Sequence, residues 1–235
     1  MSLPLAARII ASFTTPDDLI LVADRQPEPV LLAAAYLGRR AVGFTADRVE
    51  TLRLRDRLHT RCSSEQSARI TVHTSGPGNS LDSLDDNLDR LSGLDTASQL
   101  LGNVRLVIAL AANEHGQPTA PPPSLYTASV RLLAAGGVLA IHTASHPTPA
   151  GDAMTHPHGQ IVTDAHTAGL SYLQHIVILH TPIHRGRLQP PSQQGAAPPP
   201  SRTGQYLHQT IHSDLLVFTP PVDEPDLEEW EVGDV

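Results

Sequence analysis

Thirteen histidines, one cysteine and an acidic, proline-bearing turn behind the first apolar run are the residues of this chain equipped for chemistry. The histidines gather late: His142, His146, His156 and His158, then His166, His175, His180 and His184. A metal centre wants ligands at fixed spacing, each steadied by a further partner. His156-Pro-His158 fits neither a helical nor a hairpin pair, so no metal site is expected and the loop is read as solvated. Cys62 follows a helix beside Arg61, but nothing places a His/Asp pair with it for nucleophilic work. Ser75-Gly-Pro-Gly78 has two glycines and no lysine after them, which rules against a phosphate loop. Asp82, Asp85, Asp86 and Asp89 read as the solvated face of a short acidic helix.

The turn is Ala23-Asp-Arg-Gln-Pro-Glu-Pro29. It follows Leu19–Val22, a short continuous apolar run of the kind expected for a strand buried on both faces. In an open parallel sheet, the turn after the first strand is where a nucleotide-like ligand normally sits. This one holds two prolines and no glycine.

The elements that must position these residues alternate. Leu5, Ile9, Ile10 and Phe13 form a helical stripe that Thr15-Pro16-Asp17-Asp18 ends. Pro29 suits the first turn of an apolar helix over Val30–Leu37, and Gly38 suits its C-terminal cap. Ala41–Phe44 is a second strand. Asp47–Arg61 is a helix with Val49, Leu52 and Leu58 expected to face inward. Its Arg48, Arg53, Arg55, Arg57 and Arg61 are read as a solvated face pairing with Asp47, Glu50 and Asp56, with an arginine patch for nucleic acid or a partner as the alternative. Strands are expected at Ala68–Thr74, Val104–Leu110 and Val138–His142. Helices are expected at Leu81–Leu94, Leu125–Ala135 (closed by Gly136-Gly137) and Gln160–Ala168. Tyr172–His180 and Ile211–Phe218, joined by a long excursion rich in proline over Leu188–Gly204, should pair as an antiparallel edge hairpin. One domain over residues 1–221 and an acidic tail over 222–235, centred on Trp230, complete the expected organisation. The tail reads as solvated, or as a short partner-binding segment.

At 235 residues with 40% hydrophobic and 17% charged, the chain is globular and long enough for a real core. No apolar run approaches the ~20 residues of a membrane span. No secretory signal is read at the N-terminus, and a single cysteine allows no intrachain disulfide, so a cytoplasmic location is expected. Every basic residue is arginine, and the formal net charge is −8, which gives no general attraction to phosphate backbones.

The order of elements resembles the class I S-adenosylmethionine-dependent methyltransferases. The local text is closer to the amino-type (N4-cytosine/N6-adenine) DNA methylases of actinobacteria. Leu3 to Ile10, Asp18 to Val22 and Ala34 to Val42 match the opening frame of those proteins without a gap. Leu133 to Leu139, His158-Gly159, Ala168-Gly-Leu170 and Ser213–Phe218 continue the match. The resemblance implies a Rossmann-like α/β methyltransferase fold: a mostly parallel seven-stranded sheet, helices on both faces and a C-terminal antiparallel hairpin. It also marks departures. The family's acidic residue and proline after strand one fall on Val22-Ala23, and its loop glycines on Gln26 and Glu28. Pro27 and Pro29 each remove a donor N–H. The ribose-binding acidic residue falls on Thr45, with Asp47 two residues late, and the adenine contact falls near Thr74. The base-clamping (S/N/D)-P-P-(Y/F) motif, which acts on an extruded base, falls on Leu110, Ala111, Ala112 and Asn113.

The resemblance therefore implies an inherited scaffold with a degenerate site. The expected function is a catalytically inactive, methyltransferase-like scaffold or regulatory subunit with no cofactor and no catalytic residue. Its partner would be a protein, such as an active methyltransferase or a second copy, and no membrane is involved. The first alternative is a diverged nucleic-acid methyltransferase that still holds S-adenosylmethionine through Asp24, Glu28 and Asp47. The second is a non-catalytic nucleic-acid-binding module, which the net charge disfavours.

Overall fold

A proline in its first turn, an apolar stripe and a threonine stop make Leu3–Phe13 the first helix, α1, with Ala6, Ile9 and Ile10 buried. The computed structural model describes residues 1–74, 99–112, 119–144, 146–147, 154–155, 157–181, 183–188 and 212–221. The expected helix at Leu81–Leu94, the Ser75–Gly78 turn, Asn113, the excursion beyond Leu188 and the Trp230 tail lie outside those residues. After α1 come β1 (Leu19–Ala23), α2 (Glu28–Tyr36), β2 (Arg40–Thr45), α3 (Arg48–Arg61), α4 (Ser64–Ala68) and β3 (Ile70–Thr74). Then follow β4 (Val104–Leu110), α5 (Pro123–Leu132), β5 (Leu133–Ala144), β6 (His146–Pro147) and β7 (Met154–Thr155). Last come α6 (His158–Thr167), β8 (Ser171–Leu179), β9 (Ile183–His184), β10 (Arg187–Leu188) and β11 (His212–Thr219).

Seven strands form one sheet in the order β3-β2-β1-β4-β5-β11-β8. The first five run parallel. Strand β11 enters antiparallel between β5 and β8, so the expected terminal hairpin is present. All five residues of β1 are buried. Successive side chains on a strand point to opposite faces, and here they feed two separate cores. Leu19, Leu21 and Ala23 pack with Leu125, Tyr126 and Leu132 of α5 and Ile161 and Ala165 of α6. Ile20 and Val22 pack with Ile9 and Ile10 of α1, the apolar α2, and Leu54 and Leu58 of α3. The chain leaves β1 toward β2 on one side and reaches β4 on the other, which opens a crevice at the carboxyl ends of those strands.

Gly38 caps α2 as expected. At φ +69° it lets the Arg39 N–H reach Ala34 O at 2.9 Å and its own N–H reach Ala35 O at 3.1 Å. Helix α3 differs from expectation. Thr51, Leu54 and Leu58 face inward, whereas Val49 and Leu52 are 57% and 55% exposed. Asp47 caps the helix and sets its rotation, so the inward stripe runs through a threonine that no hydrophobic count would select. Helix α5 starts two residues early and stops at Leu132, and β5 begins at once. Its register on β4 jumps from Val104↔Leu133 to Leu106↔Val138, so residues 134–137 bulge where a simple turn was expected. The expected loop after His142 carries the small β6–β7 pair, and the β9–β10 hairpin lies just before the proline-rich excursion. Among the described residues, no helix is long and apolar enough to cross a membrane.

A Cβ on Gly137 would lie 2.8 Å from Val104 O and 2.9 Å from Ala134 O, both backbone atoms with little freedom to move. Gly137→Ala is expected to cost about 1–3 kcal/mol by overpacking, seen as a lower urea midpoint at unchanged slope.

Candidate functional site

The carboxyl ends of β1, β2, β3 and β4 carry the positions where the resemblance places chemistry. Just past β1, Asp24 is 2% exposed. Its Oδ1 accepts the Gln26 N–H at 3.0 Å, and its Oδ2 is buried without a hydrogen bond among the described residues. Burial raises the pKa of this carboxyl above the ordinary aspartate value. The Gln26 N–H is thus taken by Asp24, while Pro27 and Pro29 have none to offer.

Glu28 opens α2 but turns to α3. Its carboxylate accepts from Arg57 Nε at 2.7 Å and Arg61 Nη1 at 3.2 Å, and Arg57 also reaches Glu50 at 2.9 Å. Of the acidic partners expected for the arginine face, Glu50 pairs with Arg57, while the main acceptor is Glu28 on the neighbouring helix, outside the expected set. Asp47 caps α3, its Oδ1 accepting the Glu50 N–H at 2.8 Å. At the end of β2, Thr45 is buried with its hydroxyl 2.6 Å from that of Thr51, which lies 2.7 Å from the hydroxyl of Thr74. A chain of three hydroxyls so joins β2, α3 and β3, and it connects the two positions assigned to ribose and adenine contacts. Thr51 carries no signal of this in the sequence, because only the fold places it between Thr45 and Thr74.

Asp24, Glu28 and Asp47 are not brought together as one ligand set. Glu28 and Asp47 belong to a network running through Arg57 and Glu50, while Asp24 stands apart. At the end of β4, the Ala111 N–H bonds to His142 O at 2.8 Å, and Leu110, Ala111 and Ala112 offer no polar side chain. Asn113 lies outside the described residues. Tyr126 of α5 is fully buried, its hydroxyl without a hydrogen bond among the described residues and its pKa pushed up by that burial.

The histidines divide about β11. On the α1/α2 face, Ser213 Oγ lies 2.8 Å from His142 Nε2 and 2.9 Å from His180 Nε2, a hydroxyl between two imidazoles. On the α6 face, Asp214 Oδ1 lies 2.8 Å from His175 Nε2, and Oδ2 lies 3.5 Å from His158 Nε2 and 3.9 Å from His212 Nε2. Sequence spacing gives no cue to this: His158 opens a helix, His175 lies mid-strand, and β11 arrives from far along the chain. His166 and His184 are outside both groups, and the side chains of His146 and His156 are outside the described residues.

Burial pushes the His142 imidazole down to about 4, from an ordinary 6.5. It stays neutral in the fold while the unfolded chain's imidazole takes a proton near 6.5. Its contribution is therefore complete above that pH and is lost as pH falls toward about 4, by up to about 3 kcal/mol. In denaturant titrations, His142→Gln should show a smaller stability loss between pH 7.5 and 5 than the wild-type chain.

No protein-family model matches the chain, and no curated protein sequence matches it at a significant level. Solved structures do. Glycopeptide N-methyltransferase MtfA complexed with sinefungin superposes with a TM-score of 0.57 at 10% identity, covering 94% of this chain and 87% of that one. Geranyl diphosphate methyltransferase in complex with SAM gives 0.54 at 11%, covering 92% and 84%. The [4+2]-cyclase SpnF gives 0.50 at 15%, covering 74% of this chain and 60% of that one. This chain spans 62% of a second geranyl diphosphate methyltransferase structure. Identities this low speak for the fold and leave chemistry to the site. By its strand order and its structural neighbours, the chain has the class I S-adenosylmethionine-dependent methyltransferase fold.

Proposed function

We propose that this chain is a methyltransferase-fold protein without methyl-transfer chemistry, acting as a scaffold or regulatory subunit for a protein partner. The observation that carries the reading is that groups a cofactor would need are engaged within the chain. Glu28 is held by Arg57 and Arg61, Asp47 by the Glu50 N–H, Thr45 by Thr51, and the Gln26 N–H by Asp24. With Pro27 and Pro29 beside them, the donors and acceptors of an S-adenosylmethionine cradle do not fit the group, and no step is routed through it. The outer surface of α3 supports a docking role, since exposed Val49 and Leu52 stand beside exposed Arg48 and Arg53. Apolar side chains mixed with arginine suit a protein interface. An active methyltransferase or a second copy of this chain is the partner class that the resemblance to amino-type DNA methylases suggests.

A second reading rests on Asp24. A buried carboxylate oxygen lacking a hydrogen bond would suit a cationic ligand group such as the ammonium of S-adenosylmethionine. That reading is a diverged nucleic-acid methyltransferase. A nucleic-acid-binding module is the weakest of the three, given the net charge of −8.

Isothermal titration with S-adenosylmethionine and its demethylated product separates the first two readings. No saturable heat is expected with either ligand. A micromolar Kd that Asp24→Asn abolishes would overturn the first reading and favour the second.

A further inference from the structure

We infer that His158, His175 and Asp214 form a binding site for a divalent transition-metal cation of the zinc class. The inference does not depend on the reading of the cofactor cradle, which lies on other strands.

The three side chains come from three elements, the first turn of α6, the middle of β8 and the start of β11. Each offers one ligand atom, and the three atoms lie within 4.8 Å of one another. The two imidazoles meet edge to face, ring centres 5.5 Å apart and planes at 71°, so both Nε2 atoms approach the one carboxylate. Their separations from its oxygens are 3.5 Å and 2.8 Å. Two donors bound to a tetrahedral zinc ion at ~2.1 Å lie about 3.4 Å apart, so small shifts would seat an ion among them. Two imidazoles and a carboxylate favour zinc and its first-row neighbours over calcium or magnesium, which prefer all-oxygen shells.

A second observation points the same way. Asp214 is 2% exposed, and its Oδ2 is buried with no hydrogen bond among the described residues. His175 hydrogen-bonds Oδ1, whereas Oδ2 faces the His158 and His212 imidazoles at 3.5 Å and 3.9 Å without a hydrogen bond, an arrangement that a cation among the three would complete. The imidazoles across the strand behave differently. His142 and His180 share the Ser213 hydroxyl, and among the described residues no carboxylate joins them to hold a cation. Asp214 pairs with Thr143 near the end of β5, so the site lies toward the edge of the sheet where ligands bind in open parallel sheets. Three protein ligands leave a fourth position for water or a substrate oxygen.

The test is calorimetric titration of the full chain, stripped of metal and dialysed, with Zn²⁺ at pH 7.5, together with Co²⁺ absorption. One equivalent should bind with micromolar or tighter affinity, and bound Co²⁺ should give the visible band of a four-coordinate centre. His175→Gln, at a half-exposed position, should weaken binding on the order of 100-fold with an unchanged circular dichroism spectrum. A variant with His180 and His184 both changed to Gln should bind as the parent does. Absence of saturable binding overturns the proposal. So does an equal loss in the two variants, which would mean diffuse binding by a histidine-rich surface.

Discussion

Leu19 to Ala23 send alternate side chains into two apolar layers, and the remainder of the chain is arranged to cover both. A strand buried on both faces has to sit in the middle of a sheet, with helices above and below it. That requirement puts α1, α2 and α3 on one side and α5 and α6 on the other. It also sends the chain to opposite faces of the sheet after β1 and after β4, into α2 and α5 respectively. Strand β11 repeats the arrangement at the other end of the sheet, with Leu215 and Val217 in one layer and Leu216 and Phe218 in the other.

The same geometry explains why the region after β1 is so internally engaged. Helices α2 and α3 lie side by side, and Glu28 at the start of one meets Arg57 and Arg61 of the other. Such exposed ion pairs contribute little stability individually. Their effect here is positional, because they draw the one carboxylate of the α2 entry onto a neighbouring helix. Thr45, Thr51 and Thr74 do the corresponding work between β2 and β3, replacing an outward-reaching acid with hydroxyls satisfied among themselves. Asp24 is the exception, a buried carboxylate half satisfied by a backbone amide. The [4+2]-cyclase among the structural neighbours illustrates that this fold can carry chemistry other than methyl transfer.

At β11 the alternation of side chains separates two polar clusters by a single residue. Ser213 faces the α1 side and gathers His142 and His180, while Asp214 faces the α6 side and gathers His158 and His175. Neither cluster could form if β11 were shifted by one residue, because that shift would exchange the faces of both.

Local chemistry determined most of the scaffold. Continuous apolar runs marked β1, β4 and β11, Gly38 marked the end of α2, and the terminal hairpin followed from two strands flanking a proline-rich excursion. Those features depend on neighbours a few residues apart, and such signals survive in a linear text. Val49 and Leu52 misled because hydrophobicity alone cannot tell which side of α3 meets the sheet; Thr51 took the inward place through its hydroxyl partners. The strand-like path of residues 134–137 likewise depends on β4 lying alongside. The histidine–aspartate cluster was the least legible feature, with ligands at 158, 175 and 214. Only the antiparallel insertion of β11 between β5 and β8 brings Asp214 under α6, since hydrogen bonding between strands distant in sequence sets which side chains meet.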